Sequence, residues 1–267
     1  MNGEKPSREL SVEKILSLTF NLYRSKFLQF FLPFLISAII TGIFTYVITS
    51  SFPIPEAPAI PASPTTTFYS EVLVPWLFSL ISAVIVIGIL SGLVLWLVGT
   101  TITGVVIKNA SDQIEKGTSN LGVSFNFAIF KLPSLLIAQF IVGILIVIGA
   151  LFFVVPGIII GIMFSLVLPT IIVEQEGAFA SLGRSKQLVS GRWLKTFLLL
   201  LVLGIIALIV NGCATVLAGP LSIVHPIVNS LITNIISAFV SPIYPIAITY
   251  FYYAMVAREN PTPPSTL

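Results

Sequence analysis

Four long stretches of this chain contain no Asp, Glu, Lys or Arg: residues 27–55, 72–107, 132–173 and 196–257. About 20 consecutive apolar residues suffice to cross a bilayer as a helix, in which every backbone polar group bonds within the segment. Soluble domains carry about 25% charged residues, whereas this chain carries 9% and is 56% apolar. A soluble globular domain is therefore excluded. One cysteine in 267 residues also excludes a disulfide scaffold and a cysteine-built metal cluster.

The gaps divide into six spans. The first fits one helix, and the second, 36 residues, is long for one and short for two. Pro156–Gly157 reads as a sharp turn dividing the third, and Gly219–Pro220 with His225–Pro226 divides the fourth. The expected fold is all-α: a polytopic membrane protein with six transmembrane helices and cytoplasmic interfacial amphipathic helices. Spans are expected at about 27–50, 74–107, 134–154, 157–173, 197–217 and 227–256, between a cytoplasmic N-terminal helix in 1–26 and a tail over 258–267.

Lys and Arg set the orientation. With the N-terminus in the cytoplasm, segments 1–26, 108–131, 174–195 and 258–267 lie inside and hold all 13 basic residues. Positive-inside bias is usually only partial, so this partition supports the six-span parse, with both termini cytoplasmic in a multi-pass plasma-membrane protein. It also makes 72–107 one long tilted helix, because two spans would place Lys108, Lys116 and Lys131 outside. Trp76 and Trp96 on that helix lie about 30 Å apart, matching two interfacial belts or a simple tilted span with Trp96 inside. The first residues lack the pattern of a cleaved signal peptide. The loop Ser51–Leu73, with Pro53, Pro55, Pro58, Pro61 and Pro64, is too extended to form a core.

Ser11 is placed to N-cap a helix with Val12, Ile15, Leu16, Phe20, Tyr23 and Phe27 at helical spacing. Comparable segments, Phe125–Lys131 and Phe179–Lys195, precede spans three and five. Together they suggest three units, each an interfacial helix followed by a hairpin.

Residues able to carry chemistry are few. His225 stands in an outside turn, and Cys213 lies in an apolar span beside Asn211 and Gly212. Glu174 and Glu176 fit solvation or pairing with Arg184 and Lys186 better than acid–base work. No catalytic set, metal or cofactor is expected, and no basic aromatic patch for nucleic acid is present. The spans contain no ionisable side chain, which argues against proton coupling. Their polar residues Gln139, Asn211, Asn229 and Asn234 could line a solute path, but such amides more often join helices. Gly88–Gly92 and Gly157–Gly161 have the spacing for close helix approach, and Pro242 and Pro245 predict a kink. Arg184, Lys186, Arg192 and Lys195 are candidate contacts to lipid phosphate, each worth about 1 kcal/mol near an anionic surface, beside a simple role in anchoring topology.

Two stretches, Ile15–Leu35 and Val154–Leu200, resemble the glycerophosphoryl diester phosphodiesterase membrane-domain family and related six-span bacterial and archaeal proteins. The matching features are Pro156–Gly157, Leu168–Pro169, Glu174, Ala180, Arg184–Ser185, Leu188, Gly191 and Trp193. In fused members of that family hydrolysis belongs to a separate barrel domain. The resemblance therefore implies a stand-alone membrane module without phosphodiesterase activity, and it supplies neither substrate nor site residues. The expected function is a non-enzymatic, lipid-organising or accessory module. Its partners would be membrane lipids, a membrane complex or further copies of the chain. The alternative is a permease or exporter for a small or lipidic solute, using a path near Gln139, Asn211 and Asn234.

Overall fold

The computed structural model describes residues 5–219 and 226–259. Pro220 and His225, and with them the expected turn between spans five and six, lie outside the described residues. Among the described residues the chain is all-α, without strands, and six helical segments are long and apolar enough to cross a membrane.

Helix α1 (Val12–Ser25) starts on Ser11, whose side chain accepts from Lys14 N at 3.3 Å, and α2 (Phe27–Ser51) follows after Lys26 alone. A short turn, α3 (Thr66–Phe68), passes through one π-helical turn, Tyr69–Leu73, into α4 (Val74–Lys116). The result is one unbroken helix of 51 residues, about 75 Å long at helical rise. It is the single long helix expected from the basic residues, carried on from Ile107 to Lys116. Gly117, at φ +70°, ends it in the left-handed conformation that glycine adopts without penalty.

The interfacial helix expected before span three is absent as a separate element. Phe125–Lys131 forms part of α5 (Leu121–Phe152), which begins where Asn120 Oδ1 accepts from Gly122 N and Val123 N. Pro133 inside α5 removes one backbone hydrogen bond without stopping the helix. The threefold unit therefore fails at its middle copy. The hairpin between spans three and four turns at Phe153, in extended conformation, rather than at Pro156–Gly157. Pro156 stands in the first turn of α6 (Val154–Met163), where a backbone N–H has no helical partner to lose. Gly157 is a packing residue: a Cβ there would lie 3.1 Å from Ala150 Cβ and 3.2 Å from Ile146 O, so α5 and α6 meet at backbone distance.

Span four is interrupted between α6 and α7 (Val167–Val173), at Phe164–Leu166. Helix α8 (Ala178–Val189) is separated from α9 (Trp193–Ala218) by a bend with Gly191 at φ +74°, so Trp193 and Lys195 belong to the span and not to the preceding helix. Span six is likewise broken, into α10 (Pro226–Ala238) and α11 (Ile243–Glu259). The kink expected from Pro242 and Pro245 is thus a full interruption.

The core lies at the end of the bundle that carries the charges. Tyr250, Phe251 and Met255 of α11 are buried with Ile15 and Leu22 of α1, Val106 and Ala110 of α4, and Leu188 of α8. Ile107, Leu135, Ile171 and Ile248 form an adjoining cluster. Most of the apolar side of α1 is thus covered by protein, with Phe20 left exposed. In the opposite half, no residue of α4 from 74 to 99 is buried, and Phe78 and Ile89 stand out from the bundle. Apolar surface of this extent belongs in lipid.

Candidate functional site

Four polar clusters close the charged end. Glu174, just past α7, accepts from Arg184 Nε at 3.0 and 3.2 Å and from the Tyr252 hydroxyl at 2.7 Å. The same guanidinium reaches Glu259 at 2.8 Å, so α7, α8 and α11 are tied through one planar cation. Asp112 on α4 is buried and bridges Lys108 at 2.9 Å and Lys116 at 2.8 Å, one helical turn to either side. Ser111, beside it, shares a hydrogen bond of 2.7 Å with Tyr253. Glu9 receives both Arg192 Nε (2.8 Å) and Lys195 Nζ (2.6 Å). The Arg192 hydrogen bond leads in lowering the Glu9 carboxyl to about 2, against a partial desolvation penalty.

The bends are held by the same residues. Gln175 takes φ +60°, an uncommon conformation for a side-chain-bearing residue, and its carbonyl accepts from Lys131 at 2.6 Å. Arg258 donates to Ser190 O, fixing the bend before α9. These contacts account for three of the four basic residues proposed for lipid phosphate. Arg184, Arg192 and Lys195 meet the chain's own carboxylates, whereas Lys186 is exposed. Arg192 and Lys195 also line a shallow cleft of about 540 Å³ with Ser11, Glu13 and Trp193. Its two cations both pair with Glu9.

Inside the spans the two helix interruptions are deliberately satisfied. At the first, the Ser185 hydroxyl donates to Met163 O (2.9 Å) and accepts from Leu166 N (3.1 Å), pairing backbone groups that the break releases. At the second, Tyr23 donates to Phe239 O at 2.8 Å while Phe27 stacks on the Phe239 ring and Phe31 meets it tilted. Burial pushes the Tyr23 phenol up to about 12, which keeps it a donor at any physiological pH.

Between the breaks, Tyr244 lines two clefts. One, about 260 Å³, includes Gln139, Phe164 and Ser165; the other, about 60 Å³, includes Asn211, Ser237 and Ser241. Gln139 Oε1 accepts from Thr100 at 3.0 Å. Asn211 donates to Ala207 O and accepts from Ser237 at 2.6 Å. Asn234 lies instead where α10 crosses α2, 3.4 Å from the position of a Cβ on Gly42. Among the described residues, therefore, the three intramembrane amides line no common cavity. The side chain of Asn229 and all of His225 lie outside the described residues, and Cys213 is exposed on α9. Gly88 and Gly92 face open space, whereas Gly157 and Gly161 face α5. Among the described residues no three His, Cys, Asp or Glu side chains converge in a metal-binding group.

A family model described as a domain of unknown function, DUF7847, matches residues 65–255. The chain belongs to this family. The matched region runs from the turn before α4 almost to the end of α11; it includes Val154–Leu200 and leaves out α1 and α2. No curated protein and no solved structure matches the chain.

Sequence reasoning singled out Glu174, Arg184 and Gln139. It missed Glu9, Asp112, Tyr23, Tyr244 and Tyr252. The signal for Asp112 was present in the sequence, as an acid with a lysine four residues away on each side.

Proposed function

We propose that this chain is a non-enzymatic membrane module that organises lipid or supports a membrane complex. In this reading the charged end faces the cytoplasm of a plasma membrane and α1 and α8 lie at the inner interface. The carrying observation is the state of the charged end: Glu9, Asp112, Glu174 and Glu259 are each engaged by basic side chains of the chain itself. Groups committed to one another in this way hold a shape, and an acid or base that must exchange protons with a substrate needs to be free to do so. The wide apolar flank of α4 supports the same reading, since it places most of that span in contact with lipid.

The test is purification of the full chain from its own membranes in mild detergent, with mass spectrometry of everything retained. A protein or lipid retained in fixed stoichiometry is the expected result. A permease or exporter is the second reading, favoured by the two interrupted spans, since transporters bind their solutes at breaks of this kind. Solute flux into proteoliposomes, with nothing co-purifying, would replace the first reading by the second.

A further inference from the structure

The polar groups beside the helix breaks are not equally provided for. Ser185 and Tyr23 take up backbone groups of the two breaks, and Ser165 returns its hydroxyl to Ile162 O at 2.9 Å. Gln139 has its carbonyl oxygen engaged by Thr100, but its Nε2 donors have no acceptor among the described residues. The Tyr244 hydroxyl likewise has no partner among the described residues. Both groups line the 260 Å³ cleft, and both belong to helices long and apolar enough to cross a membrane, whose core offers no water to replace a missing hydrogen bond.

The remaining walls are apolar, with Val142, Ile146 and Phe164 prominent, and no charged residue contributes to the lining. A matching occupant must bring acceptor oxygens, an apolar body and no net charge. The cleft is smaller than the roughly 300–1,000 Å³ of sites that enclose whole drug-sized ligands, so it would take a head and leave chains outside in the bilayer.

We infer that Gln139 and Tyr244 form a binding site for the carbonyl-bearing head of an uncharged lipid. The Gln139 amide donates to one oxygen and the Tyr244 phenol to another, and the acyl or prenyl chains leave through the open side of the cleft into the surrounding lipid. A diacylglycerol ester and an isoprenoid quinone share this chemistry. The inference deepens the module reading by naming the lipid class it holds, and it rests on that reading.

The full chain is reconstituted into phosphatidylcholine–phosphatidylglycerol vesicles with a photoactivatable diacylglycerol or a photoactivatable quinone, and crosslinks are mapped by mass spectrometry. One probe is expected to label the segments around Gln139 and Tyr244, and which probe does so identifies the source. Gln139→Leu with Tyr244→Phe should weaken that labelling at least tenfold. Gly143→Leu is the second variant. It keeps both polar groups, fills open space in the cleft and favours the helix, so it should block labelling without threatening the fold. Labelling unchanged in either folded variant, displacement of the probe by excess phosphatidylglycerol, or no labelling of the cleft by either probe would overturn the site. Retention of a protein partner by these variants separates the outcomes, because the site can then fail while the module reading stands.

Discussion

The two halves of the bundle use polar groups in opposite ways. At the charged end carboxylates and cations are paired, Asp112 within α4 and Glu9, Glu174 and Glu259 between segments, and packed with Tyr250, Phe251, Tyr252 and Tyr253, so α1, α4, α7, α8 and α11 behave as a small globular core. In the other half the helices meet along narrow seams, and neutral hydroxyls and amides mostly bond to their own helix, as Ser50, Ser51 and Thr215 do. A helix in lipid needs no partner to satisfy its backbone, and lipid competes for its apolar side chains. A helix end in contact with water has neither advantage. Tight packing is therefore concentrated where the chain leaves the membrane.

This contrast can be broken by substitution at matched positions. The largest effect is expected for Arg184→Leu, which strands Glu174 and Glu259 without their shared cation and should cost about 2–3 kcal/mol, allowing for partial exposure. Thermal unfolding of the detergent-solubilised protein would register the loss; an unchanged midpoint would deny the charged end its structural role. Ser185→Ala removes the partner of Met163 O and Leu166 N and should cost about 1–2 kcal/mol by the same assay, with Ser185→Thr milder.

Acid should loosen the charged end as well. The Glu9 carboxyl titrates lower folded than unfolded, so its contribution is complete above its ordinary value of 4.5 and is lost as pH falls from there towards about 2. Glu9→Gln should erase about 1 kcal/mol at pH 7 and flatten that part of the pH profile, measured as the unfolding midpoint between pH 6 and pH 3. The smallest effect belongs to the lipid-facing half. Gly88→Leu or Gly92→Leu adds a side chain to open space on α4 and should move the midpoint by no more than about 0.5 kcal/mol. A loss comparable with that of Arg184→Leu would show that this flank is packed against something in the membrane.

The charge-free gaps made the six spans legible, and the placement of Lys108, Lys116 and Lys131 made α4 legible as one helix. Local signals were less reliable guides to hairpins. Pro156–Gly157 has turn chemistry, but a proline is equally at home in a first helical turn, and the glycine was needed for contact with Ala150. Phe125–Lys131 has the pattern of an interfacial helix, but the chain had no reason to break before Pro133 and ran straight on. The site was legible only in fragments. Tyr252 meets Glu174 across 78 residues and Arg192 meets Glu9 across 183, separations at which no periodicity points from one residue to the other. Tyr244 stood out least, because an aromatic beside two prolines in an apolar span has no meaning until the breaks at Phe164 and Phe239 come together around it.

The packing of α1 against α11 also imposes an order of events on biosynthesis. Ile15 and Leu22 leave the ribosome early, but the largest share of the core around them, Tyr250, Phe251 and Met255 included, belongs to the helix that begins at Ile243, more than 200 residues later. At about 5–20 residues per second that interval is roughly 10–40 s. Throughout it the first helix lacks the largest part of its protein cover, so lipid or a chaperone must shelter it. A chain stopped before span six would keep five insertable segments and leave the α11-facing side of that first helix uncovered, a mark by which quality control could tell an unfinished copy from a finished one.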